Sequence, residues 1–242
     1  MTESSTSAST YTIIRVPNDS PRLPEFAAKF RETKLAALVA EPNGFAVKYA
    51  EESLHPFTIW QERFLAPSNI LICVASPEFE PSTNDEEALI AGTWVGMATI
   101  RGPLPYSTFH LPESGQPVPD DPSLETRWHF NNLYTLQAHR GKGLARKLID
   151  ASLVVAQNQT RTLQGEHGMK ARVRLFFNPE KEHLRKLYES LGFVRAGSIT
   201  LKEAFGANGD GDLVPEDTTS AQELRERWER RYGVSMERLL DV

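Results

Sequence analysis

The 242-residue chain contains one cysteine, Cys73. An intramolecular disulfide is therefore impossible, and a reducing compartment is compatible with the composition. Cys73 lies inside the apolar run NILICVA, whereas a nucleophilic thiolate needs an accessible, electropositive setting, so it reads as a buried, inert thiol. Long apolar stretches are missing as well. The runs at 69–75 and 88–100 are short and broken by glycine or polar residues, far from the ~18 residues that a membrane span requires. No membrane association is expected. The start, MTESSTSAST, lacks the basic residues, apolar core and cleavage site of a secretory signal, which points to a cytoplasmic protein. Basic excess is absent too: 27 Lys and Arg against 32 Asp and Glu give a net charge of −5. Broad nucleic-acid affinity is excluded on that balance, and any anion site must be local. With 40% hydrophobic and 24% charged residues and no internal repeat, the chain is neither fibrous nor disordered as a whole.

What is present has the order of an α/β sandwich. YTIIRVP, from Tyr11, reads as a strand; Ser20 and Pro21 then open a helix carrying Leu23, Phe26, Phe30 and Leu38. Phe57, Trp60 and Phe64 share one face of a further amphipathic stretch and read as core. The runs at 69–75 and 88–100 read as a hairpin with a long acidic turn between them. Residues 103–124 hold six prolines and little periodicity, the mark of an irregular loop that is either a lid or an insertion. Strand at 127–136, helix after residue 140, strand at 171–178 and helix at 179–190 running into a strand follow in turn. The Gly and Asp segment 206–217 lacks calcium-loop spacing, so no metal is expected. Ser220 to Glu223 form a capping box ahead of a C-terminal helix.

The chemistry concentrates at LYTLQAHRGKGLARKLIDA, residues 133–151, where an apolar strand meets a basic glycine turn opening into an amphipathic helix. A helix start offers unpaired N–H groups and the positive end of the macrodipole, and glycines let a ligand approach the backbone closely. Arg140, Lys142, Arg146 and Lys147 make this the most basic locality of an acidic chain, which favours a diphosphate ligand. The ATP-type loop fails because Leu144 follows Gly143 and the only Gly-Lys pair, Gly141 and Lys142, is followed by glycine. The dinucleotide fingerprint fails because Arg146 stands where its third glycine belongs. A third pattern fits in full: Arg or Gln, two residues, Gly, one residue, Gly or Ala, here Arg140, Gly141, Lys142, Gly143, Leu144 and Ala145.

With Leu133, Tyr134 and Thr135 before it, and LYESLGF at 187–193 after it, this passage resembles the GNAT N-acetyltransferase superfamily. The resemblance covers 11–201, leaving 1–10 as a flexible tail and 202–242 as a C-terminal loop and helix extension packed on the same domain. It implies an α+β fold: a mixed central sheet with splayed middle strands and helices on both faces. It further implies acetyl-CoA as cosubstrate, with no metal. The turn residues 140–146 would bind the pyrophosphate, and Leu133, Tyr134 and Thr135 would supply backbone contacts to the pantetheine arm. Tyr188 matches the tyrosine that protonates the departing thiolate. Asn178 sits where relatives place a polar residue near the pantetheine, and is equally a turn former before Pro179. Asn131 and Asn132 are unusual in a strand, and His129 lies where the family draws a base or substrate contact. No glutamate occurs on this strand within 128–136; Glu125 lies just outside, so the base is water, His129 or a residue of the Pro-rich loop. His139 reads as an exposed spacer. The expected reaction is direct attack of a primary amine on the thioester in a ternary complex, the acceptor being a small molecule rather than a protein. The rivals are a peptide N-acetyltransferase and a noncatalytic acyl-CoA sensor; monomer and homodimer are both compatible.

Overall fold

The computed structural model describes residues 10–76, 84–111, 114–163 and 169–242. β1 (Thr10–Arg15) leads into α1 (Leu23–Ala40), whose Phe26, Phe30 and Ala37 are buried. Ser20 does not cap the helix proper; its Oγ accepts the N–H of Arg22 at 3.1 Å, and Pro24 occupies the first turn. Short helices α2 (Tyr49–Glu52) and α3 (Phe57–Glu62) follow, and Phe30 packs edge-on against Trp60 and Phe64, both core residues as expected.

β2 (Ser68–Ser76) and β3 (Thr93–Arg101) pair antiparallel. The first four residues of the apolar run at 88–100 are, however, helical: α4 (Asp85–Ala91) intervenes. Asn84 accepts the Glu87 N–H at 2.8 Å, and Asp85, Glu86 and Glu87 complement the positive helix start, so local capping overrides the strand-like composition. The acidic turn expected here falls largely on 77–83, outside the described residues. Within the Pro-rich segment, α5 (Tyr106–Phe109) seats the buried Phe109 under the guanidinium of Arg174, 4.0 Å from the ring centroid. The segment is thus pinned onto the sheet.

β4 (Glu125–Thr135), α6 (Leu144–Leu163), β5 (Lys170–Phe177), α7 (Glu182–Ser190) and β6 (Val194–Thr200) follow the expected order. α8 (Leu201–Asn208) begins at a reciprocal cap between Thr200 and Glu203. The C-terminal segment departs from the expected extension. Ser220 caps nothing; its N–H and that of Thr219 go to Asp217 Oδ1, and α9 (Gln222–Arg225) passes into one π-helical turn, Glu226–Arg230. The chain then enters β7 (Tyr232–Asp241), which lies between β5 and β6 and pairs with β5 from Lys170↔Asp241 to Phe177↔Val234. Residues 202–242 therefore supply an interior strand.

The sheet order is β1-β2-β3-β4-β5-β7-β6, with β4 and β5 the parallel pair among otherwise antiparallel neighbours. α6 and α7 cover one face with Leu144, Leu148, Ile149 and Tyr188; α1, α3 and α4 cover the other, joined by α8 through a cluster of Leu38, Phe205 and Trp228. This is the mixed, two-faced α+β arrangement expected.

A buried ion network ties α1 to α2 and α3. Glu52, fully buried, meets Lys34 Nζ and an Arg63 nitrogen, each at 2.6 Å, and Arg63 also reaches Asp210 at 3.4 Å. Burial pushes the Glu52 carboxyl up, but Lys34 and Arg63 outweigh it and hold it at about 2. A carboxyl depressed in the folded state stabilises fully above its unfolded value of about 4.3, and that contribution is lost as pH falls from there through about 2. Glu52→Ala would leave Lys34 buried without its anion and Arg63 with only the longer contact to Asp210. It is expected to cost ~3–5 kcal/mol at pH 7. Thermal melts of the two proteins at neutral pH check this: an unchanged midpoint would refute it, and the difference should narrow as the pH is lowered below 4.

Candidate active site

The β4–β5 ladder runs from Glu125↔Lys170 to Phe130↔Leu175 and stops there, although β4 continues to Thr135 and β5 to Phe177. The cause lies on the other edge of β4. Met97 pairs with Tyr134 and Thr99 with Asn131, so three steps on β4 match two on β3. The extra residue is accommodated at Asn132, the one non-glycine residue with positive φ (55°) among those described, whose Nδ2 donates to Thr99 Oγ1 at 3.3 Å. Such a bulge bends and twists its strand, here away from β5. Residues 131–135 thereby have no ladder partner on the β5 side, and a cleft of about 920 Å³ passes through the opening. Tyr188 and Leu184 of α7 line it on one face of the sheet; the 43–48 connection, Ala204 and Asn208 line it on the other.

Beyond the end of β4, Gly141 (φ 76°) and Gly143 (φ 73°) form the turn into α6, whose first residue, Leu144, is anchored in the core. A Cβ at either glycine would meet nothing within 4 Å. Conformation, not packing, therefore demands glycine. The start of a 20-residue helix faces that space, and the residues fit a diphosphate: amides at the centre, cations at the rim. Arg140 donates to Thr135 O at 3.1 Å and bridges to Glu41; Arg146 donates to Ser190 Oγ at 2.8 Å. Lys142 Nζ donates to the Tyr11 hydroxyl at 2.6 Å, and that hydroxyl in turn lies 3.0 Å from His139 Nδ1. His139 is thus a member of a three-residue chain rather than a spacer. Ala145 sits in the first turn of α6, and residues 140–146 lie outside the lining of the large cleft.

The other expected residues fall into three places. Leu133 lines the cleft, while Tyr134 turns its buried ring to the opposite side against Phe45, so Tyr134 and Thr135 offer the gap their backbone only. Tyr188 is 4% exposed and lines the cleft, its ring held between Phe177 and Phe193 at 5.6 and 6.0 Å. Burial pushes its phenol well above the ordinary value, so it stays protonated at any physiological pH. Asn178 both lines the cleft and accepts the Glu180 N–H at 3.0 Å, a turn-forming role.

His129 stands apart. It is fully buried, lies outside the cleft lining, and its Nε2 meets Asn208 Oδ1 at 2.9 Å. Burial and the neighbouring Arg174 push its pKa well below the ordinary value. The base or substrate contact expected of it is corrected: the neutral imidazole orients Asn208, which also accepts from Asn131 Nδ2 at 3.2 Å. Glu125 is bidentate to Arg172 and none of the described residues of 103–124 lines the cleft, so among the described residues neither brings a base to it. Sequence reasoning passed over Asn208, Asp210 and the 43–48 connection, all of which line the cleft. A signal existed for Asn208, since the Thr200 and Glu203 capping box starts the helix that ends on it.

Residues 85–195 match the sequence profile of the acetyltransferase (GNAT) domain. Among solved structures, NAA60 of Arabidopsis thaliana in complex with acetyl-CoA aligns over 95% of this chain and 98% of its own at 11% identity, with a TM-score of 0.53. A GNAT-family acetyltransferase from Streptococcus pneumoniae aligns over 96% and 99% at 12% identity, with a TM-score of 0.51. No curated protein sequence matches significantly. The matched segment, from α4 to the start of β6, is thus similar to the acetyltransferase (GNAT) domain, and the chain shares the fold of these solved structures.

Proposed function

We propose that the chain transfers an acetyl group from acetyl-CoA to a primary amine by direct attack in a ternary complex. The observation that carries this reading is one cleft that joins both faces of the sheet through a gap whose β4 edge has unpaired backbone. That the Arabidopsis relative was solved with acetyl-CoA supports the choice of donor. When bound, acetyl-CoA supplies an activated carbonyl on a good leaving group. Amides of 141–144 bind its pyrophosphate, with Arg140, Lys142 and Arg146 turning to it from their present partners. The edge of 133–135 pairs with the pantetheine arm, and a β4 amide hydrogen-bonds the thioester oxygen as it gains charge. Tyr188 donates a hydrogen bond to the departing sulfur. Asn131 and Asn208, held by His129, orient the amine at the opposite mouth, and the amine's proton leaves to water, since it must arrive neutral to attack.

The test is release of coenzyme A thiol from acetyl-CoA across a panel of amines and peptides at mildly alkaline pH. Cys73 adds no background, because burial removes it from reagent and pushes its thiol up to about 11. Release with at least one acceptor is expected. A protein that binds acetyl-CoA and releases thiol with none would be a sensor.

A further inference from the structure

The acceptor mouth carries a charge signature that narrows the substrate class. It opens on the α8 face of the sheet, across the gap from α7. The charged residues lining the cleft come from every wall. Lys48 enters from the 43–48 connection, Asp210 from the turn after α8, Glu180 and Lys181 from the β5–α7 connection, and Arg230 and Arg231 from the entry to β7. Of the two carboxylates, Asp210 is already balanced by Arg63 at 3.4 Å, and Glu180 sits at its own turn, 3.4 Å from Asn178 Nδ2. Lys48 is held by the Pro42 carbonyl at 2.9 Å. The guanidinium groups of Arg230 and Arg231 have no partner among the described residues.

Unpaired surface arginines are commonplace, but these two stand on a fixed base. Arg231 N–H donates to Glu226 O and its carbonyl accepts from Leu201 N–H, both at 2.9 Å. Beneath them the buried Trp228 packs edge-on against Phe205 at 4.9 Å. A net cationic rim in a chain of net charge −5 repels polyamines and amino sugars, and a guanidinium fork is shaped for carboxylate.

Building on the acetyl-transfer reading above, we infer that the acceptor is an amine that also bears a carboxylate, which Arg230 and Arg231 bind at the outer mouth while the amine points to the gap. The carboxylate could belong to a free amino acid or to a peptide with an acidic residue near its N-terminus, and the test separates these sources.

The full-length protein is assayed by thiol release with ω-amino carboxylates of two to six carbons, the matching alkylamines and α,ω-diamines, and peptides with Asp or Asn as second residue. At least one carboxylate-bearing amine is expected to exceed its alkylamine match by about 10-fold or more in kcat/KM, with diamines poorest. The Arg230→Gln/Arg231→Gln double variant, checked for folding by circular dichroism, should bring that ratio to within about 3-fold of unity. Preference for the Asp peptide with the same arginine dependence identifies a peptide as the source of the carboxylate. Equal or better use of alkylamines or diamines by the wild type, or a ratio unmoved in the double variant, overturns the inference. If acetyl-CoA binds yet no amine releases thiol, the transfer reading fails separately. The anion site is then decided by calorimetry of 5-aminopentanoate on the acetyl-CoA-loaded protein: heat that weakens in the double variant supports it, and no heat refutes it.

Discussion

Replacing Gly143 by aspartate is expected to weaken acetyl-CoA binding by about 100-fold or more, with the protein still folded. The residue has φ 73°, and a Cβ there projects into open space above the turn, not into the protein. Folding therefore bears mainly the conformational cost of a left-handed residue, ~1–2 kcal/mol and less for aspartate than for most. The ligand meets the rest. A carboxylate beside a diphosphate in a partly shielded cradle opposes it by ~4 kcal/mol at 4 Å if the effective dielectric is near 20. Gly143→Ala separates the two effects, since it adds the Cβ without the charge and should weaken binding by far less. Calorimetry gives the affinities and circular dichroism the fold. Normal affinity in the aspartate variant would mean that the N-terminus of α6 is not where the donor's phosphates dock.

That turn was legible in sequence because its demands are local: glycines for left-handed backbone, cations around them, and Leu144 starting an amphipathic face. The ladder of strands and helices from 125 to 200 was legible for the same reason. The gap beside β4 was less so. It depends on Asn132 taking a left-handed conformation opposite Thr99, which the Asn131–Asn132 pair hints at but cannot specify without its neighbour strand. β7 escaped because its pattern misleads. Val234, Met236 and Leu240 serve one face, but Ser235 and Glu237 on the other are buried too, Glu237 being held by Arg172 at 2.9 Å and by Gln116 at 3.2 Å. Those partners come from distant parts of the chain, so nothing within 232–241 marks it as an interior strand. His129 failed as a base for a related reason: nothing in the sequence of β4 shows that α8 would cover it and set Asn208 against its imidazole.

Tyr188→Phe is expected to lower kcat by about 100-fold or more while acetyl-CoA affinity changes less than about 3-fold. The phenol is buried and held above its ordinary pKa, so full proton transfer to a thiolate whose conjugate acid is near 8.5 would run uphill. In the proposed reaction the hydroxyl would instead hydrogen-bond the sulfur as the carbon–sulfur bond breaks, when negative charge is greatest, and the proton would follow as solvent returns to the opened site. Such an interaction is made only as charge develops, so losing it appears in kcat and not in donor binding. Two further readouts distinguish this role from a structural one. The hydroxyl has no hydrogen-bond partner among the described residues, and the ring contacts with Phe177 and Phe193 survive in phenylalanine, so the thermal midpoint should not fall. The alkaline side of the wild-type kcat profile should show no tyrosine ionisation up to pH 10, because the raised phenol remains neutral there. Retention of kcat within about 3-fold would remove Tyr188 from the chemistry and leave a core residue that borders the cleft.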